Sequence, residues 1–182
     1  MVQVSHNVVL SVLFLGVLQG CSKPIPRPTI SLHEAARTGN LAQIESHLHY
    51  GCDVNALEIV AWQDQSGSIR SSKRATPLHA AVYGDQRDAI VLLMKNGANP
   101  AATSEFVSEP GEIRDPILKE LTRATPLSEA VFLDRVNALR ALVESGADVN
   151  ASGNRLITPL AMARNMHRDQ IASYLQNHGA HE

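Results

Sequence analysis

The sequence predicts an all-α repeat protein, a solenoid of four helix-turn-helix units carrying two extended loop insertions. Three observations lead there. Four glycines close similar stretches, Gly51, Gly97, Gly146 and Gly179, and they stand 46, 49 and 33 residues apart. Counting 21 residues back from each reaches Ile30, Thr76, Thr125 and Thr158, so one unit recurs with extra chain added after its first and second copies. In the second half of each unit, apolar residues return at helical spacing, as with Ile90, Leu93 and Met94, or Leu139, Leu142 and Val143.

Each unit opens on a helix-start signal, most clearly TPLH from Thr76, TPLS from Thr125 and TPLA from Thr158. The threonine hydroxyl can accept from a free amide of the first turn, and proline at the first helical position loses no hydrogen bond. A short helix follows, then a turn, then the apolar-periodic helix that the glycine stops. One such pair of helices cannot bury its apolar face alone. The copies must therefore stack side by side and share one elongated core.

At these residues the chain resembles the ankyrin repeat family. The match lies in SLHEAARTGN with YGCDVNA, TPLHAAV with KNGANP, TPLSEAV with ESGADVNA, and TPLAMAR with NHGA, recurring in order from about Thr29 to Glu182. The first copy departs by having Ile30 and Ser31 in place of Thr-Pro. Where the family usually has glycine between the two helices, only Gly39 complies, and Asp85, Asp134 and His167 stand in the other copies. The resemblance implies that His33 and His79, fourth in the opening motif, bond nearby backbone. It also implies protein binding through the loops and through exposed first-helix positions, which by register are Arg37, Tyr83, Phe132 and Asn165.

Residues 1–20 contain no Lys, Arg, Asp or Glu, and Val8 to Leu18 is an apolar run broken only by Ser11 and Gly16. That is short for a membrane span and suits a secretory signal core. It runs into LQGC, Leu18 to Cys21, which resembles the lipobox of bacterial lipoproteins and implies lipidation at Cys21; Ser22 after it resembles lipoproteins sent to the outer membrane. Ser22 to Thr29 has three prolines and reads as an extended spacer of about 3.1 Å per residue. The expected organisation is thus a signal peptide (1–20), a lipidated cysteine and tether (21–29), and a repeat domain (30–182). Its units cover about 30–56, 76–102, 125–151 and 158–182, with insertions at 57–75 and 103–124.

A net charge of −2 implies no nucleic-acid partner. If Cys21 carries lipid, Cys52 has no partner for a disulfide; it takes the place of Ala147 in the third copy, which predicts a small buried side chain. HEAAR at His33 to Arg37 begins like a zinc-protease helix, but Arg37 stands where the second histidine must be. His47 with His49, and His178 with His181, lack a third ligand. Asp85 and Asp88 read as an acidic helix start rather than an acid and base pair. No phosphate loop or nucleophile elbow is present, and neither metal nor cofactor is expected.

The insertions are where the unit is most altered. The first, Leu57 to Ala75, has Leu57, Ile59 and Ala61 in alternation, Trp62, and a basic run of Arg70, Lys73 and Arg74, and it predicts a hairpin turning about Ser66 to Ser68. The second, Thr103 to Ala124, is acidic on balance, with Phe106, a Pro110-Gly111 turn and a short helix from Asp115 to Leu121. Both fall in the same loop of successive units, so stacking sets them side by side, and their opposite charge predicts contact. The expected partner-binding residues are Trp62, Arg70, Lys73, Arg74, Tyr83, Phe106 and Phe132.

The function expected is a monomeric, non-catalytic protein-binding module, lipid-anchored in the bacterial envelope at the outer membrane and facing the periplasm. Its membrane contact is through the anchor alone. Its concrete form is an inhibitor or immunity-type protein against a toxic enzyme, or a scaffold that retains a periplasmic enzyme. The competing class is a histidine-based metal protein or enzyme.

Overall fold

The threonine caps act as the sequence suggests at Thr125 and Thr158, the Thr76 hydroxyl meets the His79 ring instead, and Ser31 supplies a cap the sequence did not point to. In the computed structural model, which describes residues 25–63, 69–107, 123–153 and 157–182, Thr125 Oγ1 accepts from Ser128 N, Thr158 Oγ1 from Ala161 N and Ser31 Oγ from Glu34 N, each at 3.2 Å. The first helices that follow are α1 (Leu32–Thr38), α3 (Pro77–Tyr83), α5 (Pro126–Phe132) and α7 (Pro159–Asn165). Their partners are α2 (Leu41–His49), α4 (Arg87–Lys95), α6 (Val136–Glu144) and α8 (Asp169–Asn177). The first helices bring alanines to the core, Ala35, Ala36, Ala80, Ala81 and Ala130, so neighbouring units approach closely. The second helices bring the bulk: Ile44, Ile90, Leu93, Leu139, Leu142, Ile171 and Leu175 join one continuous core.

All four helix-to-helix turns share one geometry despite their different residues. Gly39, Asp85, Asp134 and His167 have φ of 70°, 54°, 58° and 55°, the left-handed region that Asp and His enter more readily than most side chains. The cost is about 1–2 kcal/mol per non-glycine residue. At Asp85 it is offset, because the carboxylate reaches the next unit and accepts from Ala138 N at 2.8 Å and Asn137 Nδ2 at 2.9 Å, in the first turn of α6. Asp85 therefore caps its neighbour's second helix rather than starting its own. Asp134 likewise accepts from Arg168 at 3.0 Å. His167 is exposed and makes no such side-chain bond among the described residues. The two turns should respond oppositely to glycine: His167→Gly is expected to stabilise by up to about 1 kcal/mol, and Asp85→Gly to destabilise by about 1 kcal/mol. Urea unfolding of the two variants checks this.

Histidines carry the link between successive units. His33 Nε2 donates to Ala75 O at 2.8 Å and His79 Nε2 to Ala124 O at 3.1 Å, the carbonyls just before the next unit's capping threonine. The Nδ1 of His79 faces the Thr76 hydroxyl at 2.8 Å. Burial holds both imidazoles below their ordinary range, outweighing the pull of the Glu58 carboxylate on His33 and of Glu129 on His79. In the third unit Ser128 replaces the histidine, and the Thr125 hydroxyl donates to Ala151 O at 3.0 Å instead.

Two expectations change at the first unit. The proline-rich strip does not stand away from the domain: Ile25 to Ile30 lies along α2, whose polar residues at i, i+3, i+4 and i+7 bind its backbone. Gln43 Oε1 accepts from Thr29 N at 2.8 Å, Ser46 Oγ donates to Pro26 O, His47 Nε2 to Ile30 O at 2.7 Å, and Tyr50 Oη to Ile25 O at 3.0 Å. Cys52, expected buried, is exposed, with His47 Nδ1 3.3 Å from its Sγ. The equivalent Ala98 and Ala147 are buried; Cys52 sits in the first unit, and among the described residues no unit before it covers the thiol.

The helical repeat is not all of the structure. The insertions add three strands, β1 (Glu58–Gln63), β2 (Ile69–Ala75) and β3 (Glu105–Val107), in one antiparallel sheet of order β1-β2-β3. Residues 60–63, 69–72 and 106–107 are described by their backbone pairing. The signal segment with Cys21, the turn at 64–68, the Pro110-Gly111 turn and the Asp115 to Leu121 helix lie outside the described residues. Among the described residues no helix is long and apolar enough to cross a membrane.

Candidate protein-binding surface

The alternation of Leu57, Ile59 and Ala61 folds as β1, but β2 is polar almost throughout and owes its strand to pairing on both sides. Glu58 to Trp62 pair with Ala75 to Ser71, and a bulge follows between Trp62 and Gln63, which pairs with Ile69. On the other side Ser72, Lys73 and Arg74 pair with Val107, Phe106 and Glu105. The two insertions do meet. They meet through a main-chain ladder, which supplies directional bonds that charge attraction between loops would not. The base of the second insertion is closed by Ser104, whose N–H donates to Ala124 O at 3.0 Å and whose carbonyl accepts from Arg123 N at 2.7 Å.

Side chains fix this sheet to the stack at two separated units. His33 of the first unit donates Nε2 to Ala75 O at the end of β2, at 2.8 Å; the Glu58 carboxylate on β1 stands 3.0 Å from its Nδ1, which makes no hydrogen bond among the described residues. Lys73 on β2 reaches Glu129 on α5 of the third unit, Nζ to Oε1 at 2.7 Å, with side chains only 7% and 2% exposed. This corrects the reading of Lys73 as part of an exposed basic anchor: it is turned inward, because a carboxylate on a buried helix face requires a cation. Glu129 was missed in the sequence. The signal was there, since Glu129 occupies the position held in the second unit by the fully buried Ala80.

Of the other expected binding residues, Arg74 is exposed on β2, Trp62 and Phe106 are placed by register, Trp62 opposite Ser71 and Phe106 opposite Lys73, and Arg70 falls at the bulge without a cross-strand partner among the described pairs. Tyr83 and Phe132 are half-buried at the ends of α3 and α5, and the Arg135 guanidinium lies 6.0 Å from the Tyr83 ring centroid. Arg37 is exposed and bonded to Glu34, and Asn165 is exposed. The sheet residues and the first-helix residues thus form two separate groups.

Residues outside the expected binding set complete the edge. Leu57 and Ile59 are 55% and 62% exposed, more than any other large apolar residue among those described. Beside them runs an open groove of about 500 Å³ lined by Leu57, Arg74, Thr76 and Glu105 on the sheet side and by Asn55, Asn99, Ala102 and Thr103 on the side of the loop tips. Its floor is rigid: Asn55 Oδ1 accepts from Asn99 N at 2.8 Å and Asn55 Nδ2 donates to Gly97 O at 3.1 Å, linking successive loops.

The histidines offer little to a metal. His47 is engaged with Ile30, and His178 stacks on Tyr174 at 4.0 Å. Among the described residues no three His, Cys, Asp or Glu side chains converge on one point.

A family model described as ankyrin repeats in three copies matches residues 27–153, well over half of the chain. Similar proteins include protein phosphatase 1 regulatory subunit 27 of Homo sapiens, 30% identical over 96 residues, and that of Mus musculus, 28% identical over 96 residues. Each match covers 53% of this chain and 54% of the relative, so the chain spans about half the length of the curated relatives it matches.

Proposed function

Because the chain belongs to the ankyrin repeat family, we propose that it is a non-catalytic module of four repeats whose work is to bind another protein through the edge that carries the two insertions. The observation that supports this most is the inserted sheet, paired strand to strand and tied to the first unit through His33 and Ala75 O and to the third through Lys73 and Glu129. Repeat loops have no folding need for such an extension. A rigid sheet beside exposed apolar residues presents an interface with little ordering cost.

The partner class favoured is an enzyme. The similar proteins bear the name of a phosphatase regulatory subunit, which supports regulation of an enzyme by binding. The concrete reading is an inhibitor or immunity-type protein that blocks a toxic enzyme at the bacterial envelope; the second is a scaffold that retains an envelope enzyme. Adding the purified protein to its captured partner separates them, since an inhibitor abolishes turnover and a scaffold leaves it unchanged.

Trp62 on β1 is the proposed anchor, with Phe106 on the same face of the sheet by register and Arg74 on the opposite face. With a partner captured from envelope extracts, Trp62→Ala is expected to lose about 2 kcal/mol or more of affinity by calorimetry while the melting midpoint barely moves. Equal affinity would place the interface on the Tyr83 and Phe132 group. Excising Leu57 to Ala75 is a poor test by comparison, because it also removes the cation that Glu129 needs.

Attachment is proposed through a lipid on Cys21, supported by the LQGC motif after a short apolar run. Metabolic labelling with a palmitate analogue is expected to mark the wild type and spare Cys21→Ala. Equal labelling of both, or of neither, removes the envelope anchor from this reading.

A further inference from the structure

Across the three strands, Ile59 pairs with Arg74 and Arg74 with Glu105, so one row sets an apolar side chain, a cation and an anion next to each other on one face of the sheet. All three are exposed. Arg74 and Glu105 form no ion pair among the described residues, although they stand directly opposite each other. Both line the groove that runs across the strands, from Leu57 and Asn55 toward Thr103 and Glu105. We propose that this row takes one face of an amphipathic helix from the partner protein, laid along the groove with an apolar residue on Leu57 and Ile59, an acidic residue on Arg74 and a basic residue on Glu105. The inference deepens the binding role proposed above and rests on it.

Spacing selects the helix. Adjacent strands lie about 4.8 Å apart, so three residues in a row across the sheet repeat at that interval. A helix presents one residue per turn of about 5.4 Å, close enough for three successive turns to meet the row. An extended segment presents alternate residues about 6.7 Å apart and drifts out of step by the third. Charge gives the order. The partner helix must carry apolar, acidic and basic residues about one turn apart, near i, i+4 and i+7 in either chain direction, because exchanging the acid and the base would set like charges against each other.

The test uses the purified repeat protein as bait for a phage-displayed library of random short peptides. Peptides with the apolar, acidic, basic order at one-turn spacing are expected to be enriched. Their affinity should fall at least tenfold on Arg74→Glu and recover on that variant when the peptide's acid is exchanged for lysine; Glu105→Arg should show the reciprocal pattern. Enrichment of peptides with alternate-residue spacing, equal affinity for Arg74→Glu, or no enrichment over an unrelated bait would overturn the proposal. Trp62→Ala separates it from the broader reading. If capture is lost with Trp62→Ala but not with Arg74→Glu, the insertion edge binds and the groove does not; if neither variant matters, both fail.

Discussion

Replacing Glu129 by leucine is expected to cost about 3–5 kcal/mol of folding free energy, and replacing Lys73 by methionine a similar amount, whereas the double variant should unfold close to the wild type. The pair is buried on both sides and its bond is short. Taking two charges out of water is costly, and their attraction does no more than offset that cost, so the pair as a whole contributes little. Each single variant removes the opposite charge from a side chain that stays buried, 7% exposed for Lys73 and 2% for Glu129. Glu129 Oε2 already lacks a hydrogen-bond partner, so the carboxylate has no second donor to turn to. Urea unfolding of the three variants decides it. Single losses within about 0.5 kcal/mol of zero, or a double variant as weak as the sum of the singles, would mean that the sheet is not held to the third unit by this contact.

The helices were legible because their signals are local. Thr-Pro at the start, apolar residues at i, i+3 and i+4, and glycine at the end each act within one or two turns, so the sequence carries them without knowledge of the fold. The left-handed turns were legible only as departures. Asp85 and Asp134 look unsuited to a glycine position until the neighbouring unit is in place, when their carboxylates meet Ala138 and Arg168.

The site was read less completely, for a physical reason. Strand β2, Ile69–Ala75, has no apolar alternation and is legible only as the second arm of a hairpin, and β3 is three residues long; β3 exists because it pairs with a segment more than thirty residues away in sequence. Periodicity within a window cannot register that. Lys73 was misread for a related cause: in a run with Arg70 and Arg74 it resembles a solvated face, and only the buried Glu129 turns it inward. The polar stripe of Gln43, Ser46, His47 and Tyr50 likewise carries no local signal that another segment covers it. It is the surface that receives the proline-rich strip.

The stack itself is tested at Leu142, where alanine is expected to cost about 2–5 kcal/mol. Leu142 is fully buried in α6, in the same core as Leu139, Ile171 and Leu175, so it holds the third unit to the fourth. Truncation there removes contacts on both sides of the joint, and the short helices leave little freedom to close the cavity. Arg140, two residues earlier, is the control on the exposed face of α6. It is not wholly idle, since its guanidinium lies 5.6 Å from the ring of Tyr174 on α8, a contact worth about 0.5–1 kcal/mol at an exposed site. Arg140→Ala should therefore show a small loss that disappears in a Tyr174→Leu background, while the Leu142→Ala loss persists there. Similar losses for Leu142→Ala and Arg140→Ala in urea melts would show that α6 presents a different face to the core and that the fourth helix pair is not stacked as a repeat.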